Sequence, residues 1–231
     1  MNDANQNLSK EGLANLAIDP DLLARELAAQ LAGDPLDEIE LEGNDEEPHN
    51  SSQECELALT WLKSGHEDRL RGLRVFCEYR DPRAIPFLIP LLEEPSPVIR
   101  MSAVYALGRN PCSQAIDLLL NLLRYDSNAY VRKATAWSLG NYSDASVLEP
   151  LINSLKQDVA AVRLWASSSL AEVGLNSVDS SLPAANQLLE SLQIDGEPIV
   201  RSNCIWSLGR LYNLLSEEIK IQIEDSFISV L

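Results

Sequence analysis

Side chains able to do chemistry near neutral pH are scarce in this chain of 231 residues: two histidines, His49 and His66, and four cysteines, Cys55, Cys77, Cys112 and Cys204. The cysteines lie far apart and lack the paired spacing of a structural zinc site, so they read as reduced thiols. Cys55 and Cys204 suit small buried positions. Cys77 and Cys112 are the pair to which a metal, cluster or redox role would fall, if folding brings them to one edge; inert thiols are the competing reading. His66 is followed by Glu67 and Asp68, acids that suit the first turn of a helix. No glycine-rich phosphate loop, nucleophile elbow or Ser/His/Asp arrangement is visible. The chemistry that remains is recognition. Tyr105, Trp137 and Trp206 recur at matched places, Trp165 sits near a fourth, and Arg109 and Arg210 follow close behind. Tyr, Trp and Arg are the residue types enriched at binding hot spots.

The elements that must position these side chains are written four times over. PVIRMSAVYALG at 97–108 returns as AYVRKATAWSLG at 129–140, AAVRLWASSSLA at 160–171 and PIVRSNCIWSLG at 198–209. Arg100, Arg132, Arg163 and Arg201 anchor the copies at separations of 32, 31 and 38 residues. A period of this size marks a repeat architecture whose units bury their apolar faces against neighbours. Counted from the anchoring Arg, position −1 is apolar, position +3 is Ala, Thr or Cys, and position +7 is Leu throughout; these offsets share one helical face. Gly108, Gly140 and Gly209 at +8 read as helix stops with positive φ. Intervening apolar helices are expected over 84–92, 115–123, 147–155 and 184–192.

A degenerate first copy, RLRGLRVFC from Arg69, is preceded by ECELALTWLK over 54–63, and an apolar-striped helix over 217–231 closes the series. The expectation is an all-α stack of about five helical hairpins over 54–231. The rings at +5 leave the −1, +3, +7 face and so point either into a groove or into the seam between repeats.

The motif V/I-R-x-x-A-x-x-A/S-L-G, here VIRMSAVYALG with RDPRAIPFLIPLLEE before it, resembles the short HEAT repeats of phycobilisome lyases. The resemblance covers about three quarters of the chain and implies an α-solenoid wound as a right-handed superhelix, with the second helix of each hairpin on the concave surface and with the anchoring Arg100, Arg132, Arg163 and Arg201 bracing the next repeat through an acidic or carbonyl partner. It implies a non-catalytic scaffold that uses Tyr105, Trp137, Trp206, Arg109 and Arg210 to bind another protein, an iron–sulfur carrier or a phycobiliprotein. A phycobilin (linear tetrapyrrole) lyase or chaperone subunit is the alternative. His66-Glu67 is similar to one His-Glu pair of deoxyhypusine hydroxylase, but a single pair cannot hold two irons, and no bound cofactor is expected.

Charge is unevenly placed. The chain carries −17 overall, and the first 50 residues hold thirteen Asp or Glu against Lys10 and Arg25, a net of −11 that leaves −6 for the other 181. Such a balance argues against nucleic acid as a partner. Asp19-Pro20-Asp21 before LLARELAAQLA starts an amphipathic helix expected over 19–32. The eight carboxylates of 34–48 then favour an unfolded acidic segment. Residues 1–50 are thus either a solubilising tail or a helix that docks on a partner or back on the solenoid. With no signal-peptide pattern and no long apolar run, a cytoplasmic location is expected.

Overall fold

The computed structural model describes residues 51–230, so the acidic segment 1–50 and the helix expected over 19–32 lie outside the described residues. Eleven α-helices and no strand occur among them: α1 Ser51–Trp61, α2 His66–Glu78, α3 Ile85–Leu88, α4 Pro97–Arg109, α5 Ile116–Tyr125, α6 Ala129–Leu139, α7 Leu148–Gln157, α8 Ala160–Asn176, α9 Val178–Ile194, α10 Pro198–Leu211 and α11 Glu217–Val230. The even-numbered helices α2 to α10, which carry the Arg motif, pack each on the next in one row. In the other row, α5, α7, α9 and α11 do the same. This is an all-α solenoid of five hairpins with a closing helix. No described helix is long and apolar enough to cross a membrane.

Local chemistry explains the departures from a uniform repeat. The helix expected over 84–92 is split into a 3-10 turn, the four-residue α3 and a second 3-10 turn over Ile89–Glu93. Pro90 lacks an N–H and its ring crowds the carbonyl of Pro86, so a continuous α-helix cannot pass. The 38-residue spacing from Arg163 to Arg201 arises because α8 and α9 are each 17 residues long.

The register holds as a core. Ile99, Ala103 and Leu107, with their counterparts in α6, α8 and α10 down to Val200, Cys204 and Leu208, are all buried at 1% exposure or less. Burying a Leu or Val side chain contributes about 1.5–3 kcal/mol. Each motif helix therefore supplies its own three-residue seam to its hairpin partner.

Between repeats the arginines form a ladder. Arg100 binds the Asp126 carboxylate through two nitrogens at 2.7 and 3.0 Å, Arg132 binds Asp158 at 2.9 and 2.7 Å, and Arg163 binds Asp195 at 2.7 and 2.8 Å. Each guanidinium also donates to a carbonyl in the turn before its own helix: Glu94, Asp126, Asp158 and, for Arg201, Asp195. Arg69 joins through Glu94 at 2.7 Å. One acidic residue thus accepts from the preceding Arg with its side chain and from the following Arg with its backbone.

The glycines have a different role from the one their position suggests. Gly108 and Gly209 lie inside α4 and α10, and Gly140 caps α6 with φ −61° in the right-handed region. Gly108 and Gly140 are instead places of close approach. A methyl at Gly108 would run into the Trp137 ring, and one at Gly140 would sit 2.7 Å from Ser169 Oγ; at Gly209 it would meet nothing within 4 Å. Gly108→Ala should therefore lower stability by about 1–3 kcal/mol through overpacking, whereas Gly209→Ala should raise it by about 0.5–1 kcal/mol through helix propensity. Thermal melts of the two variants check this, and equal shifts would contradict it.

Candidate functional site

On a motif helix, offsets +1, +2, +5 and +9 project opposite the −1, +3, +7 seam, because each residue advances 100°. All four offsets of α8, Leu164, Trp165, Ser168 and Glu172, line a cleft of about 660 Å³ together with Trp137 and Asn141 from the second copy and Ser202, Asn203 and Trp206 of α10, and the cleft also reaches Arg109 at the end of α4. Its walls are Trp137, Trp165, Trp206, Leu164 and Ile199, and its floor is built from Gly140, Ser168, Ser169 and Ser202. Small residues on the floor are what open the cleft. Asn203 on α10 reaches across to α8, its Nδ2 within 3.0 Å of the Leu164 carbonyl and 2.7 Å of Ser168 Oγ.

The +5 rings do not share one fate. Tyr105, expected to face a partner, is 1% exposed and fully buried. The next +5 residue, Trp137, covers it edge-on with ring centroids 5.4 Å apart and planes at 64°. Tyr105 is thus a core residue of the seam between α4 and α6. Trp137 is itself half-buried, because its outer ring edge seats on Gly108. At the corresponding place in α8 stands Ser168, too short to cover anything, and Trp206 beyond it is 53% exposed. Trp165, offset by three residues from the +5 row, joins the wall of the same cleft.

Two cations border the aromatic walls. The Arg109 guanidinium lies 5.6 Å from the Trp137 ring centroid and that of Arg210 lies 5.0 Å from Trp206, both within cation–π range. Arg210 is paired with Glu172 of α8, a second contact of that pair measuring 3.2 Å. Arg109 donates from Nε to the Cys77 carbonyl at 3.1 Å, and no carboxylate among the described residues pairs with it. Its neighbour Asn110, buried and unnoticed in the sequence, fixes this edge by accepting from the Asp81 N–H at 2.7 Å and donating to the Ala106 carbonyl at 2.9 Å. Apolar faces, hydroxyl and amide groups, the Glu172 carboxylate and two guanidinium groups thus meet at or beside the cleft.

Of the two cysteines expected at an edge, Cys77 does not stand exposed there. The Cys77 thiol is buried and turned inward, donating to the Ser102 carbonyl at 3.5 Å, while Cys112 is half-buried. Burial, with the Glu78 charge adding to it, pushes the Cys77 thiol up to about 12, and burial does the same to Cys204. No group of three or more metal-ligating side chains occurs among the described residues. His66 is exposed at the start of α2, where Glu67 and Asp68 occupy the first turn.

The repeats match the family model described as HEAT repeats over residues 59–128 and 116–209, together spanning 59–209, or 151 of 231 residues. The chain belongs to the HEAT-repeat family. No curated protein matches it significantly. Stacked HEAT hairpins are helical scaffolds that commonly mediate protein–protein interaction, and their curved surfaces carry the binding. In this HEAT stack the cleft described above lies on the face away from the hairpin seams.

The thiol environments carry a direct expectation. In native protein at pH 8, a disulfide reagent should modify Cys112 first, with Cys77 and Cys204 reacting only on unfolding, as read by mass spectrometry. Labelling of Cys77 as fast as Cys112 would overturn the buried assignment.

Proposed function

We propose that this HEAT-repeat chain is a non-catalytic scaffold that holds another protein against the groove walled by Trp137, Trp165 and Trp206. The observation that carries this reading is the half-exposed Trp206 under Arg210, beside Trp165 and the 60%-exposed Ile199. A solenoid gains by burying such a cluster, and aromatic and Arg anchors around a desolvated centre are how protein interfaces concentrate binding energy. Arg109, Trp137, Trp206 and Arg210 are the proposed contact residues, with Trp165 and Ile199 added and Tyr105 withdrawn. Arg100, Arg132, Arg163 and Arg201 act in this reading only by holding the motif helices in place.

The likeness of the repeats to those of phycobilisome lyases makes a phycobiliprotein and an iron–sulfur carrier the first partners to try. A linear tetrapyrrole is the alternative occupant, supported by a cleft volume of about 660 Å³ that falls among small-molecule sites. The reading is checked by calorimetric titration with a purified phycobiliprotein subunit and an A-type iron–sulfur carrier, and by visible absorption after mixing with free bilin. Trp206→Ala should weaken the protein partner by about 2 kcal/mol or more, roughly 30-fold, with the melting temperature kept. Trp137→Ala should cost stability as well, because its ring is packed on Gly108 and Tyr105. Unchanged affinity in Trp206→Ala would refute the groove, and bilin absorption without protein binding would favour the alternative.

A further inference from the structure

We propose that residues 19–32 of the chain itself dock as a helix in the Trp137–Trp165–Trp206 groove, so that an external partner must displace them. The inference rests on the groove being the binding face and adds a resident occupant. It starts from the groove's two unmet demands. Apolar walls stand open, with Trp206 53% and Ile199 60% exposed. Beside them Arg109, half-buried over the Trp137 ring, has no carboxylate partner among the described residues. An occupant that satisfies both must offer an apolar stripe flanked by acids.

Residues 19–32, DPDLLARELAAQLA, offer that. Leu23, Leu27 and Leu31 recur every four residues with Ala24 and Ala28 beside them, which makes one narrow apolar face on a helix. Asp19, Asp21 and Glu26 outnumber Arg25. A helix of this length is marginal in water by itself and gains its stability by laying that face into an apolar groove. Charge points the same way. Residues 1–50 carry −11, and Glu172, the carboxylate in the groove lining, is already paired with Arg210 beside it, which leaves the lining's Arg109 as the cation to be met.

The tether allows it. Gly33 to Asn50 is 18 residues ahead of α1, which span up to about 60 Å when extended. The middle of the groove lies at α8, three helix spacings from α2, or about 30 Å at about 10 Å per packed pair. A tether of this kind presents the segment at an effective concentration near the millimolar range. Weak helix-in-groove contact is then enough to keep the groove covered.

The test uses the full chain. Hydrogen–deuterium exchange should find the amides of 22–31 at least tenfold slower than those of 34–48, at both low and high protein concentration. Leu23→Glu with Leu27→Glu should remove that protection and increase acrylamide quenching of tryptophan fluorescence, and Trp206→Ala should remove the protection too. Exchange over 22–31 as fast as over 34–48 would overturn the proposal. So would protection that survives both sets of substitutions, which places the segment elsewhere, or protection lost on dilution, which assigns it to a second copy. The groove reading fails separately: a partner that Trp206→Ala still binds at full affinity sinks that reading, whereas an unprotected segment with Trp206-dependent partner binding sinks only self-docking.

Discussion

The Arg–Asp ladder along the turn edge is the constraint on which the rest of this solenoid depends. A hairpin seam fixes two helices relative to each other, but the groove is made by helices from different hairpins. Their relative placement rests on the packing between repeats and on a single acidic residue per step that meets two arginines. Arg100, Arg132 and Arg163 are 13–19% exposed and their carboxylate partners 3–12%, so the pairs are largely withdrawn from water. Two-pronged Arg–carboxylate geometry is directional as well as strong, and it sets the angle at which one motif helix meets the next. For Asp195, burial alone would raise the carboxyl, but the Arg163 hydrogen bonds and the Glu197 N–H outweigh it and hold it below the ordinary value. Its contribution to stability is therefore complete above about pH 4, the unfolded carboxylate range, and is lost as pH falls through the lowered folded value.

The parts of the fold that repeat were legible in the sequence, and the parts that differ between copies were not. The −1, +3, +7 register and the Arg period sufficed for the hairpins, because buried apolar positions tolerate little else. The acidic partners were also visible in principle: Glu94, Asp126, Asp158 and Asp195 each stand five or six residues before an anchoring Arg. The fate of the +5 rings could not be read from one helix at a time. Tyr105 is covered because its neighbour is Trp137, whereas Trp206 stands on the last motif helix, with no following +5 ring to cover it. Ring exposure is a property of adjacent pairs, so a pattern read down one copy misses it. The glycines misled for a similar reason. Their lack of a side chain serves the next repeat, not the local φ.

This division bears on function. A regular stack made only of the consensus would present a uniform concave face with nothing to choose between partners. Here the copy that departs from the +5 pattern, α8 with Ser168 at that place and its ring moved to Trp165, falls on the same cleft as the recurrent rings Trp137 and Trp206. The ladder keeps that cleft open by fixing α6, α8 and α10 from their far edge.

The central claim, that the ladder couples neighbouring repeats, is tested most directly by a double-mutant cycle on Arg163 and Asp195 at pH 7, with stabilities from denaturant melts. Arg163→Ala and Asp195→Ala should each cost about 3–5 kcal/mol, the penalty for stranding one member of a buried pair. The double variant should cost less than the sum by at least about 1 kcal/mol. Near-neutral single variants whose effects simply add would show that the arginines decorate the stack without holding it.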